Sequence, residues 1–250
     1  MYMKRFISIL LLIVVLAASG SAQTRKPQNK PYIDLRPLHF GVHVGLNLQD
    51  VEFANVGPQI IQMPTGEQKY ACVVADADKW NPGFSVGVLA DMRLSNHFSL
   101  RLSPAMHFGS KRLKFLNLLE MDENGRPLEE TQDLKNTYIS APLDLKFAAE
   151  RFNNYRPYIM AGINPLINLS GKDQDYVQLK RFDFMIELGL GCDFYLPFFK
   201  LIPELKFCYS LTDALDKGHW DEIIDANRLS YAKSISGAHA KMIVLTLHFE

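Results

Sequence analysis

Seven histidines, three cysteines and a set of charged residues at alternating positions are what this 250-residue chain offers for chemistry. His107 with Ser103 or Ser110 would supply a base and a nucleophile, but no spacing motif supports that set. His39, His43 and His248 fall where the two end strands of a closed sheet would meet. His39 and His43 stand roughly 13 Å apart if they lie on one strand, too far to share a metal ion. Cys72, Cys192 and Cys208 form neither a CxxC motif nor a paired framework, and an odd number leaves at least one thiol unbridged. Gly41-Val42-His43-Val44-Gly45 and Gly189-Leu190-Gly191 do not lie between a strand and a helix as a phosphate loop would. The expectation is therefore no enzyme, no metal and no cofactor, with no motif identifying a small-molecule substrate. What remains is Asp91, Arg93, Arg101, Asp144, Lys146, Glu187, Glu204 and Lys206, with His107, Asp183 and Asp193. Both signs are present, so these side chains could pair if they share an interior, as buried charges must.

The elements that carry them are strands. From Phe182, every second residue to Phe194 is apolar, while Asp183, Glu187 and Asp193 fall between. After Leu196-Pro197-Phe198-Phe199 the alternation resumes, with Leu201, Pro203, Leu205, Phe207 and Tyr209 against Glu204 and Lys206. Folding back about that turn sets Leu190 beside Leu205 and Leu188 beside Phe207, a shared apolar face. The same period of two marks His39 to Leu48, Gly83 to Leu94, Phe98 to Phe108, Thr137 to Ala149, Arg156 to Leu169 and Ala238 to Glu250. Alternation fades over 49–81, 110–136, 170–180 and 211–237, which read as long loops. Within the last, Trp220-Asp221-Glu222-Ile223-Ile224 suits a short helix. The odd-length turn at Ser95-Asn96-His97 places Asp91 opposite Arg101, and Glu187 and Lys206 become neighbours on the next hairpin.

Eight strands joined by links that alternate long and short predict an all-β, eight-stranded antiparallel up-and-down transmembrane β-barrel. It has four long external loops and three short periplasmic turns. The apolar face meets lipid and the mixed face fills the interior. A soluble lipocalin-like barrel is the alternative, with the apolar face inside. Phe40, Phe98, Phe147, Tyr155, Tyr195, Phe198 and Phe249 cluster at the short-turn ends, where an interfacial girdle belongs. Eight strands leave an interior that side chains fill, which disfavours a passive pore.

Residues 1–22 have the form of a secretory signal peptide. Lys4-Arg5 precede an apolar run from Phe6 to Ala18, and small residues lead to a cleavage point between Ala22 and Gln23. Residues 23–38 read as a basic, proline-bearing periplasmic leader and 39–250 as the outer-membrane barrel, both termini periplasmic. A net charge of zero argues against nucleic acid as a partner. Outer-membrane lipid is the partner that the strands themselves imply.

HFGVHVGLN at 39–47, NPGFSVGVLADMRLSNHFSLRLSPAMHFG at 81–109 and TYISAPLDLKF at 137–147 resemble the PorT family. So do RFNNYRPYIMAG at 151–162 and LKRFDFMIELGLGCDFYLPFFKLIPELKF at 179–207. The resemblance implies an outer-membrane barrel that serves the type IX secretion system of the Bacteroidota, with other components of that system as partners. That machinery exports proteases, adhesins and gliding-motility proteins bearing C-terminal sorting domains. The family supplies no catalytic residues. The residues by themselves leave a second reading open, a structural, adhesive or ligand-binding small outer-membrane barrel without a secretion role.

Overall fold

A strand turns successive side chains to opposite faces, so a chain with one greasy and one mixed set must find two different surroundings for them. The computed structural model describes residues 29–62, 68–77, 80–123, 125–170, 177–222 and 226–250. The expected signal peptide, with Ala22 and Gln23, lies outside the described residues, as do residues 23–28 of the leader. The strands are β1 (Leu38–Asn55), β2 (Gln59–Gln62), β3 (Gln68–Ala71), β4 (Val73–Ala77), β5 (Asn81–Arg93), β6 (Phe98–Leu102) and β7 (Ala105–Met121). They continue as β8 (Pro127–Ser140), β9 (Leu143–Ala148), β10 (Tyr155–Asn168), β11 (Phe182–Tyr195), β12 (Lys200–Ser210) and β13 (Ile235–Phe249). Among the described residues, 3-10 turns span Ile33–Leu35 and Lys217–Glu222, and one helix, α1, spans Ala226–Ala232.

Eleven of these strands form one antiparallel sheet, and β2 with β3 forms a separate hairpin. Pairing runs from β1 through β13, β12, β11 and β10, then through β8 and β9, β7 and β6, to β5 and back to β1, so the sheet closes on itself. The expected count was eight. The difference comes from interruptions: β6 and β7 lie in line against β5, broken at Ser103-Pro104, and β9 and β8 lie in line against β10, broken at Ala141-Pro142. A proline has no N–H to give the ladder. β4 and β5 likewise both run against β7.

The outward face is apolar over one band. Phe40, Val42, Val44, Leu46 and Leu48 on β1 are all exposed, as are Phe182, Phe184, Ile186, Leu188 and Leu190 on β11. From Phe40 to Leu48 the strand climbs roughly 27 Å. With a tilt of about 40° that gives ~20 Å of height, close to the ~25 Å apolar belt of a transmembrane barrel.

Beyond this band the two faces exchange character. On β1 the outward Asp50 and Glu52 follow Leu48, and the inward Val51 is buried. On β7 the outward series Met106, Phe108 gives way to Ser110, Arg112 and Lys114, while Leu113 and Phe115 point inward at 0% exposure. Arg112 pairs with Asp133 at 2.7 Å and Lys114 with Glu129 at 2.8 Å on the outside of β8. Val51, Val73, Ala75, Leu113, Phe115 and Tyr231 then make an apolar core inside the sheet, packed beneath α1 and Trp220. Residues 49–55 and most of 110–136, expected as loops, are therefore strand. The hairpin of β2 and β3 docks Ile61 and Ala71 onto Leu229 of α1. The second 3-10 turn falls on Trp220, and Ile223 and Ile224 lie outside the described residues.

Within this outer lobe the Asp213 carboxylate accepts the backbone N–H of Ala238 at 3.0 Å and of Leu215 at 3.1 Å, with Lys217 Nζ at 3.2 Å. Burial raises its pKa, but those partners outweigh burial and hold it below its ordinary value. A depressed carboxylate stabilises the fold fully above its unfolded pKa of about 3.9, and that contribution is lost as pH falls through the folded value. Amide-exchange protection of Leu215 and Ala238 is thus expected to weaken selectively in acid below about pH 4. In Asp213→Asn that acid dependence disappears.

Candidate functional site

Each inward-facing charge stands where the strand period and the register put it. Asp91 on β5 faces Arg101 on β6, and Arg101 faces Asp144 on β9. Arg101 is fully buried. Its Nε and Nη2 donate to Asp91 Oδ2 at 3.1 and 2.9 Å, and its Nη1 donates to Glu204 Oε2 at 2.6 Å. The Tyr158 hydroxyl donates to the same Glu204 oxygen at 2.5 Å. One guanidinium thus ties together β5, β6 and β12, and the tyrosine brings in β10.

A second cluster forms around Lys206. Its Nζ donates to Glu187 Oε1 at 2.9 Å and to Asp144 Oδ2 at 3.0 Å, and lies 3.5 Å from Glu204. Gly162 sits in the ladder between Asp144 and Glu187. A Cβ there would meet Asp144 Oδ1 at 2.2 Å, so the glycine leaves the space through which the two carboxylates reach one ammonium. Toward the short-turn end, Lys146 Nζ donates to both oxygens of Asp193 at 3.0 Å and lies over the Tyr158 ring. Lys200 bridges Asp193 at 3.4 Å and Glu250 at 3.1 Å, and His39 pairs with Glu250.

Arg93 is placed elsewhere. It lies at the rim, where its guanidinium donates to the backbone oxygens of Ser95 and Leu35 and to Asn96 Oδ1. The strand period aims its side chain inward, but it stands at the last residue of β5, past the level of Asp91, where the turn supplies acceptors. Tyr195, expected in the outer aromatic girdle, is 1% exposed and faces inward. Its hydroxyl donates to Asp34 Oδ1 at 2.6 Å.

That contact fastens the leader across the short-turn mouth. Asp34 also lies 3.4 Å from Arg151, whose guanidinium stacks 3.6 Å above the Tyr195 ring. Arg151 donates to the carbonyls of Lys30 and Asn29, and Pro37 O accepts the N–H of Arg93 at 2.9 Å. Asp34→Ala removes bonds with a combined net value of about 1–2 kcal/mol. Chymotrypsin cleavage after the exposed Tyr32 is expected to speed up roughly 5- to 30-fold, with barrel stability unchanged. An unaltered cleavage rate would show that Asp34 does not hold the leader.

Above the charged clusters a belt of neutral hydrogen bonds crosses four strands. Gln49 donates to Asn47 at 2.9 Å and Asn47 to Ser85 at 2.8 Å. Ser85 lies 2.7 Å from His107 Nδ1, and His107 Nε2 lies 2.9 Å from Ser140 Oγ. The partners of His107 are therefore Ser85 and Ser140, where the sequence had suggested Ser103 or Ser110. The carboxylate lining that neighbourhood, Glu187, is taken by Lys206 and Asn164, so among the described residues no acid completes a nucleophilic triad there. The His43 and His248 rings lie tilted at 54° with centroids 4.8 Å apart, and His248 Nε2 is 3.2 Å from Glu204 Oε1. No group of three metal-ligating side chains converges among the described residues. Tyr158, Lys200 and Glu250 were missed by sequence reading. The signal for Tyr158 was its inward phase on β10, where Ile159, Ala161 and Ile163 face out.

Among the described residues, charged clusters, neutral belt and apolar core are stacked in that order along the interior, and the cavities beside the charged clusters measure only about 20 and 40 Å³. A family model described as "Outer membrane protein beta-barrel domain" matches residues 21–216 of this chain. The crystal structure of Neisserial surface protein A is similar with a TM-score of 0.41 at 10% identity, over 85% of this chain and 98% of that one. Ail, the attachment invasion locus protein of Yersinia pestis, solved with the heparin analogue sucrose octasulfate, gives 0.33 at 13% identity over 84% and 96%. No curated protein matches the sequence.

Proposed function

The chain belongs to the outer membrane protein β-barrel domain family, and from that premise we propose that it is a non-enzymatic component supporting type IX protein secretion. The strands that run in line are taken as single passes, giving eight crossings. The short turns and both termini lie in the periplasm, and the lobe beyond the apolar band faces outward. The observation that carries the reading is the filled interior. Arg101, Lys146 and Lys206 with their carboxylates occupy the lower half, and Leu113, Phe115 and Val51 the upper. A barrel closed in this way is suited to act through its surfaces. The runs resembling the PorT family, in their order along residues 39–207, supply the assignment to secretion, in export or in cargo maturation.

Deleting the gene in the native host and following cargo with type IX sorting domains tests the proposal. Cargo held in the periplasm, and released when the intact gene is restored, is the expected result. Normal cargo at the cell surface would overturn it. The second reading, an adhesive or ligand-binding surface barrel, draws on the hairpin of β2 and β3, where Ile60 and Tyr70 face each other on the exposed side. Surface binding without a secretion defect would favour it.

A further inference from the structure

Between the Lys206 cluster and the Ser85–His107–Ser140 belt lies a cavity of about 20 Å³. Four of its lining residues carry a buried polar atom with no partner among the described residues: His43 Nδ1, His248 Nδ1, Ser103 Oγ and Asn164 Oδ1. Buried polar groups almost always find partners, and leaving one alone costs about 1–3 kcal/mol. The chemistry of these four atoms narrows what could satisfy them. The Asn164 amide nitrogen donates to Glu187 at 3.0 Å, and its carbonyl oxygen, the orphaned atom, can only accept. His248 turns Nε2 to Glu204 Oε1 at 3.2 Å, and in the neutral tautomer that donates there Nδ1 is a lone pair. Ser103 can donate one hydrogen and accept in return. The set is rich in acceptors and calls for an occupant that donates.

Size limits the occupant further. A water molecule needs about 10–15 Å³ by this measure and two to four polar partners. Gly87 helps to keep the space open, because a Cβ there would press on the His43 ring at 2.6 Å. We propose that this cavity is a resident water site, holding about one molecule that donates its two hydrogens to two of the orphaned acceptors and accepts from Ser103. The water links Ser103 to His248 or Asn164, whose other polar atoms bond Glu204 and Glu187 of the charged cluster.

X-ray radiolysis of the full chain in lipid nanodiscs tests this, because it generates hydroxyl radicals from water wherever water sits. Met242 lines the cavity and is 3% exposed, whereas Met160 is 4% exposed and does not line it. Met242 is expected to oxidise several-fold faster than Met160. In Ser103→Val, which removes a hydrogen-bond partner and narrows the space, the Met242 rate is expected to fall to that of Met160. Equal rates for the two methionines in the parent chain would overturn the proposal, and so would an undiminished Met242 rate in the folded variant. Should the variant fail to fold, the parent comparison decides alone.

Discussion

Arg101→Met is expected to destabilise the folded barrel by about 3–5 kcal/mol, because it takes from the buried Asp91 and Glu204 the cation that bonds them both. The guanidinium is fully buried and bonds both carboxylates, at 2.9 and 2.6 Å. Methionine fills much of the volume, so the loss reports on charge more than on packing. With a urea slope of about 2 kcal/mol/M, the unfolding midpoint should drop by roughly 1.5–2.5 M. The triple variant Arg101→Met, Asp91→Asn, Glu204→Gln separates the two causes. Removing a whole ion cluster costs much less than breaking it, so the triple variant should recover most of the lost midpoint. A triple variant as weak as the single one would mean that Arg101 acts through its shape and not through its charge.

Leu190→Arg is expected to cost about 2–4 kcal/mol, the penalty for a cation on the lipid face near the bilayer midplane. Leu190 is on the exposed face of β11, directly across from Leu205 on β12. Ser110→Arg, one outward position past Phe108 on β7, should cost only about 0–1 kcal/mol. The difference between the two substitutions, measured by folding into lipid vesicles from urea, maps the upper edge of the lipid-facing band. Equal penalties would place that edge elsewhere.

That edge also explains what could be read from the sequence. Within lipid, an outward Leu and an inward Asp alternate, and the eye follows the apolar phase from Phe40 to Leu48 or from Phe182 to Phe194. The register between β11 and β12 followed directly, as did the opposition of Asp91 and Arg101. Above the lipid the surroundings invert, with water outside and the protein's own core inside. On β7 the apolar phase therefore jumps from the even residues Met106 and Phe108 to the odd residues Leu113 and Phe115. A strand that changes phase looks like a loss of alternation, and 110–136 reads as a loop in the sequence for that reason. Asking whether the polar residues also changed phase would have found it, since Arg112 and Lys114 take the outward places that Met106 and Phe108 held.

The leader's role was hidden for a different reason. Asp34 and Tyr195 are far apart in the sequence, and neither shows a pattern that announces the other. Tyr195 looked like one more aromatic of the girdle because it ends a strand beside Phe194. Only its inward phase, shared with Asp193, marked it as an interior residue. Lys200 and Glu250 were likewise illegible, being strand-end residues whose meeting depends on closure of β12 against β13. Long-range closure is what a strand-by-strand reading lacks.

The filled interior is the point on which the functional reading turns, and ion conductance tests it most directly. Purified full-length protein would be reconstituted into planar lipid bilayers, with insertion verified independently, and current recorded at moderate voltage in concentrated salt. The stacked clusters predict a silent membrane, with no unitary steps above background. Steady, reproducible steps from the intact chain would mean that the interior admits water and ions along its length. The protein would then be a pore, and the case for action through its surfaces would fail.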